Sequence, residues 1–162
     1  MAQSPAGYAE LRQQAERGEA TAQYDLGVMY EYGRGVAQDD VAAAHWYRKA
    51  AMQGVDVAQY RLAVMLENGW GVPKSHAEAA TWYRSAAEQG HALAQHDLAF
   101  MYLAGTGVPQ DYVRAYMWLD IAVALGSSVM VKHLKIVADE MTAVQIEKAR
   151  DMARVWLEEA KR

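Results

Sequence analysis

An all-α solenoid of antiparallel helix pairs is the fold class this sequence predicts, and three observations predict it. Trp46, Trp82 and Trp118 stand 36 positions apart, and Gly54 and Gly90 keep the same interval. The glycine pairs Gly33/Gly35, Gly69/Gly71 and Gly105/Gly107 recur in that register. Between these markers the apolar residues follow a helical period rather than strand alternation. A fixed period of this size marks an array of small units, each able to bury its apolar face only against its neighbours. Such an array builds an extended surface rather than a catalytic cleft, so it points to binding another chain.

Taken in order, Ser4-Pro5 reads as an N-cap with proline at the first helical position, followed by a lone helix over residues 5–17. Three full repeats then occupy residues 18–53, 54–89 and 90–125. In the first half of the first repeat, Ala22, Leu26, Met29 and Tyr30 fall at i, i+4, i+7 and i+8, one face of a helix. Ala58/Ala94, Leu62/Leu98 and Met65/Met101 carry that face into the later repeats. Gly27, Ala63 and Ala99 keep one position small, as a close helix crossing needs. Gly33, Gly69 and Gly105 end this helix, and a Gly-x-Gly-Val loop reaches Val36, Val72 and Val108. The second half opens at Asp39, Ser75 and Asp111, whose side-chain oxygens suit an N-cap. Ala43, Trp46, Tyr47 and Ala50 share its inner face, so the recurring tryptophans read as core. Gly54, Gly90 and Gly126 terminate it.

Beyond Gly126 the pattern lapses. Thr142-x-x-Gln145 is a capping box at a new helix start. Ile146, Ala149, Ala153 and Trp156 line the inner face of that helix, while Glu158, Glu159, Lys161 and Arg162 make its outside polar. Residues 126–162 thus form an atypical closing pair, which a solenoid needs to stay soluble. The expectation is one domain over residues 1–162 with about nine helices, on this count of units.

Composition narrows the function classes. Hydrophobic residues make up 52%, enough for a core, and alanine supplies much of it. The formal net charge of −4 argues against nucleic acid, which calls for a basic stripe. No apolar run approaches the length of a membrane span, and residues 1–7 show no charged or apolar region of a signal peptide. The expected compartment is the cytoplasm, or the periplasm if a signal peptide has been removed. With no cysteine, disulfides and thiolate metal sites are excluded.

The run Ala22-Gln23-x-x-Leu26-Gly27-x-Met29-Tyr30, then Gly33-x-Gly35-Val36-x-Gln38-Asp39, then Ala43-x-x-Trp46-Tyr47-x-x-Ala50-Ala51 resembles the Sel1-like repeat. That family is a relative of the tetratricopeptide repeat with a longer loop between helices. The resemblance covers residues 18–125, with Trp118-Leu119 and Asp120-Ile121 as departures in the third repeat. It implies a right-handed superhelix whose first helices line a concave face. It also implies adaptor or scaffold roles, often in bacteria. Some members carry paired cysteines in each repeat, and this chain has none.

By that similarity the groove residues are those of the first helices that vary between repeats. Tyr24, Tyr60 and His96 form one row and Val28, Val64 and Phe100 the next. Thr21, Val57 and Leu93 lie on the same stripe, with Glu31, Glu67 and Leu103 nearer the loops. So apolar a stripe at solvent-facing positions points to a groove for a peptide or helix of another protein. The competing structural reading is that these side chains pack on one another or on the C-terminal helix. Trp70 replaces Arg34 and Thr106 in its loop and is a candidate interface anchor, or folds over the loop beside it.

Gln23, Gln59 and Gln95 recur without being apolar and read as hydrogen bonds between repeats. No histidine pair has zinc-hydrolase spacing, no serine sits in a nucleophile elbow, and the glycine pairs lack a phosphate-loop pattern. Arg48 and Arg84 read as a solvated face. The expectation is a non-catalytic binding module with no cofactor and no metal. Its partner is another protein, not nucleic acid or membrane, and the chain itself is a monomer or weak dimer. The alternative is a structural solenoid that self-associates.

Overall fold

The computed structural model describes residues 5–160; Ser4, read above as a cap, and Lys161 and Arg162, read as part of the polar end, lie outside them. Among the described residues there are nine α-helices and no strand. They are α1 (Pro5–Glu16), α2 (Ala20–Tyr32), α3 (Asp40–Met52), α4 (Asp56–Asn68), α5 (His76–Glu88), α6 (Ala92–Ala104), α7 (Tyr112–Ala124), α8 (Met130–Asp139) and α9 (Ala143–Glu159). The fold is all-helical, with successive helices joined by short loops. The chain divides into two compact units, Met1–Ala86 and Ala87–Arg162.

In the first unit α1 packs on α2, α2 on α3 and α3 on α4. Ala43, Ala44, Ala50, Ala58 and Ala63 are all but fully buried. Such small side chains let the helices approach closely. Ala15, Ala22, Leu26 and Met29 form a core between α1 and α2, with Tyr8, Leu11, Tyr30 and Trp46 around it. The hydroxyls of Tyr8 and Tyr30 meet at 2.9 Å.

The loops are held identically in each repeat. Asp39 N–H donates to Tyr30 O (3.0 Å), Ser75 N–H to Leu66 O (2.8 Å) and Asp111 N–H to Tyr102 O (3.0 Å). The predicted caps form: Asp39 accepts from Ala42 N–H at 2.9 Å, Ser75 from Glu78 N–H at 3.3 Å and Asp111 from Arg114 N–H at 2.9 Å. In the second-repeat loop the backbone comes close to α3. A Cβ on Gly71 would stand 2.1 Å from the carbonyl oxygen of Asp40, at the start of α3.

The repeating glutamines bind the helix before them. Gln23 Nε2 donates to Ala15 O (3.1 Å), Gln59 Nε2 to Ala51 O (3.1 Å) and Gln95 Nε2 to Ala87 O (3.2 Å). Each adds a second donor to a carbonyl in the last turn of the preceding helix, which also accepts the backbone N–H of Gly18, Gly54 or Gly90.

In the second unit α7 packs against α6, α8 and α9. Covered on several sides, it is apolar nearly all round. Ala115, Tyr116, Trp118, Leu119 and Ile121 are buried along it. The helix α9 begins with the predicted capping box, Gln145 N–H to Thr142 Oγ1 at 3.3 Å and Thr142 N–H to Gln145 Oε1 at 2.9 Å.

The recurring tryptophans differ from expectation. Trp118 is buried, but Trp46 and Trp82 are half-buried. The fully enclosed aromatics are their neighbours Tyr47 and Tyr83. Successive helical residues diverge by about 100°, so only one of an adjacent pair points fully inward. Trp118 gains its burial from α9, whose Trp156 ring meets it edge-on at 6.0 Å. Trp46 instead carries the Lys49 ammonium 4.8 Å above its ring.

Candidate functional site

The variable residues of α2 and α4 are placed by the tyrosines beneath them. Tyr24 lies tilted on Tyr47 with ring centroids 5.7 Å apart, and Tyr60 lies on Tyr83 at 5.8 Å. The hydroxyl of Tyr47 donates to Glu31, and that of Tyr83 donates to Glu67 at 2.7 Å. Burial pushes the Tyr47 phenol well above its usual range, and the hydrogen bond to Glu31 adds to this. Each upper tyrosine thus rests on a ring pinned at its far end.

Arg61 joins α4 to α2. Its Nη1 lies 3.5 Å from Glu31 Oε1, and its guanidinium stands 5.8 Å from the Tyr32 ring centre. Arg34 stands 5.0 Å from the same ring. Val28, Val57 and Val64 are half-buried, and Thr21 is exposed. The helices α2 and α4 therefore carry aromatic and aliphatic side chains together with the Arg61–Glu31 pair.

The matching positions of the second unit are occupied differently. His96 packs on Phe100 at 4.6 Å, and its Nδ1 lies 2.6 Å from Asp97 Oδ1. His133, from α8, meets Phe100 edge-on at 5.1 Å and His96 at 6.3 Å. Leu103 is half-buried and Leu93 is exposed. Trp70, in the first unit, stands in its loop with half its surface exposed.

Three features of the structure were not read from the sequence. Glu31 and Glu67, placed in the groove above, are hydrogen-bond acceptors for the buried tyrosines. The signal was present as a joint change, since the third repeat has Leu103 and Leu119 at the two matching positions. Arg48, read as solvated, reaches across repeats to Glu78 at 2.5 Å. The histidine from α8 had no signal, because α8 follows no repeat.

Among the described residues no cluster of three or more histidines or carboxylates could hold a metal ion. No described helix is long and apolar enough to cross a membrane.

Similarity to known proteins agrees with this architecture. The Sel1 repeat model matches residues 20–55, 56–91 and 92–127. The solved structure of c5321, a protective antigen of uropathogenic Escherichia coli with an SLR fold, superposes with a TM-score of 0.82 at 36% identity. The match covers 94% of this chain and 32% of that one, so this chain spans about a third of its length. A Sel1 repeat protein from Oxalobacter formigenes matches with a TM-score of 0.72 at 36% identity, over 78% of this chain and 96% of that one. Helicobacter pylori cysteine rich protein B shares the fold, with a TM-score of 0.60 at 20% identity over 78% of this chain and 96% of its own. No curated protein matches. With three repeats in unbroken succession and the same helix pair built from each, the chain belongs to the Sel1 repeat family.

Proposed function

We propose that this chain is a non-catalytic adaptor that takes a peptide or helix of another protein on the α2–α4 face of residues 1–86. The observation that carries this reading is the set Tyr24, Val28, Tyr60 and Val64, all partly exposed on two helices that Arg61 holds together. Sel1 repeats are generally protein-interaction modules. Tyrosine is enriched at binding hot spots because it offers a large contact area. Here the rings beneath Tyr24 and Tyr60 are anchored through Glu31 and Glu67, so less side-chain freedom is lost on binding. The Glu31–Arg61 pair at the border supplies a polar contact that would fix the register of a bound segment. In residues 87–162 the row of His96 and Phe100 is met by His133, which favours the first unit as the main contact.

Affinity capture with mass spectrometry tests this, comparing the native chain with a Tyr24→Ala/Tyr60→Ala variant whose helicity is checked by circular dichroism. The expected result is a partner captured by the native chain and lost by the folded variant. Equal capture by both would sink the reading. Light scattering should show a monomer; a concentration-independent dimer would favour self-association instead.

A further inference from the structure

A second surface shares no residue with the α2–α4 face. Met117 of α7 and Val144, Met152, Val155 and Trp156 of α9 floor a groove of about 650 Å³. Val144 is 75% exposed and Val155 is 50% exposed, although neither is needed for the buried side of α9, which rests on Ala149 and Ala153. On a helix turning about 100° per residue, Val144, Met152 and Val155 fall within one sector of roughly 80°, with Lys148 and Glu159 set among them and Asp151 at their edge. The helix therefore carries a second stripe, beside its inner face, whose valines remain in solvent. Exposed apolar side chains gathered with charged ones in this way mark an interaction site.

The shape and charge of the groove select its occupant. From Val144 to Glu159 the stripe runs about 22 Å at roughly 1.5 Å per residue, the length of four helical turns. Its walls come from α9 except for Met117 of α7, and an apolar groove of this length takes the apolar face of an amphipathic helix. Methionines such as Met117 and Met152 adapt to the side chains they meet. The rim carries three carboxylates, Glu147, Asp151 and Glu159, against one ammonium, Lys148. Asp151 is already shared with Arg154 at 2.8 Å, an exposed pair that a partner's cation could replace. A second copy of this chain would set the same three carboxylates against their own kind, in a molecule of net charge −4. We propose that the α7–α9 groove docks an amphipathic helix of another protein, apolar along one face and flanked by lysine or arginine.

The test uses two synthetic fifteen-residue helical peptides with the same leucine stripe, one flanked by lysines and one by glutamates. Each is titrated into the full chain carrying 13C-labelled methionine methyl groups. The lysine peptide is expected to shift the Met117 and Met152 methyl signals and to bind at least tenfold more tightly than the glutamate peptide. Val155→Asp, at a half-exposed position, should abolish those shifts while circular dichroism is unchanged. Glu147→Lys combined with Asp151→Lys should reverse the preference between the peptides. The proposal is overturned by equal affinities, by no binding, or by shifts confined to other methionines. It is also overturned if sedimentation shows a dimer whose formation moves these two methyls without peptide, since that assigns the groove to a second copy.

Discussion

The Tyr47 hydroxyl donates its hydrogen bond to the Glu31 carboxylate, tying the inner aromatic of α3 to the outer turn of α2. Tyr83 and Glu67 repeat the bond, while the third repeat carries Leu103 and Leu119 in their places. Hydroxyl and carboxylate are present together or replaced together. A buried hydroxyl without an acceptor costs more than the bond contributes, whereas replacing both partners by apolar groups is nearly neutral. Glu31→Leu should therefore destabilise by about 2 kcal/mol, Tyr47→Phe by about 1 kcal/mol, and the double substitution by less than their sum. Urea unfolding of the four proteins closes the cycle. Strictly additive effects would show that the two side chains do not act as a unit.

Alkaline pH should act on the same pair. Burial raises the Tyr47 phenol above its unfolded value, so the folded chain holds its proton where the unfolded chain releases it. Stability from this group is complete below the unfolded tyrosine range near pH ~10 and falls as pH rises beyond it. Tyr47→Phe removes that proton linkage. Unfolding midpoints measured between pH 8 and 11 should fall less steeply for Tyr47→Phe than for the native chain. Parallel slopes would contradict the assignment.

Gln95 should be improvable. In the first repeat Gln53 Nε2 donates to Gln23 Oε1 at 2.7 Å and to Gly18 O at 3.0 Å. The residue matching Gln53 in the third repeat is Leu125, which is exposed. Gln95 Oε1 is buried and has no hydrogen-bond partner. Leu125→Gln restores a donor at the position used in the first repeat. It should stabilise the chain by about 1 kcal/mol, the net value of one such bond. Leu125→Met, which adds no donor, is the control, and equal midpoints for the two variants would reject the argument.

What could be read in advance follows physical range. The caps at Asp39, Ser75, Asp111 and Thr142 depend on three or four consecutive residues, so their sequence suffices. The glutamine bonds were legible because a polar residue recurring among buried ones must be satisfied, and the repeat supplies the same carbonyl each time. Burial of the tryptophans was not legible. It depends on what lies over each one, and only Trp118 has the Trp156 ring of α9 against it. The approach of His133 to His96 and Phe100 escaped for the same reason, since α8 has left the repeat pattern and its placement is tertiary. Tyr24, Val28, Tyr60 and Val64 are half-buried, and their role in binding rests on the capture experiment.

Gly71 and Gly54 separate two costs that glycine avoids. Both have positive φ, +65° at Gly71 and +88° at Gly54. A Cβ on Gly54 meets nothing within 4 Å, so Gly54→Ala incurs only the left-handed backbone penalty, about 1–2 kcal/mol. A Cβ on Gly71 would stand 2.1 Å from Asp40 O, 2.2 Å from its carbonyl carbon and 2.6 Å from Val41 N. These are backbone atoms at the first turn of α3, and no side-chain rotation relieves them. Gly71→Ala must push the loop off α3 as well as strain its own backbone, and should cost about 3 kcal/mol or more, the range of severe overpacking. Thermal or urea unfolding of the two alanine variants decides the matter. If Gly71→Ala lowers stability no more than Gly54→Ala, the second-repeat loop does not rest on the start of α3.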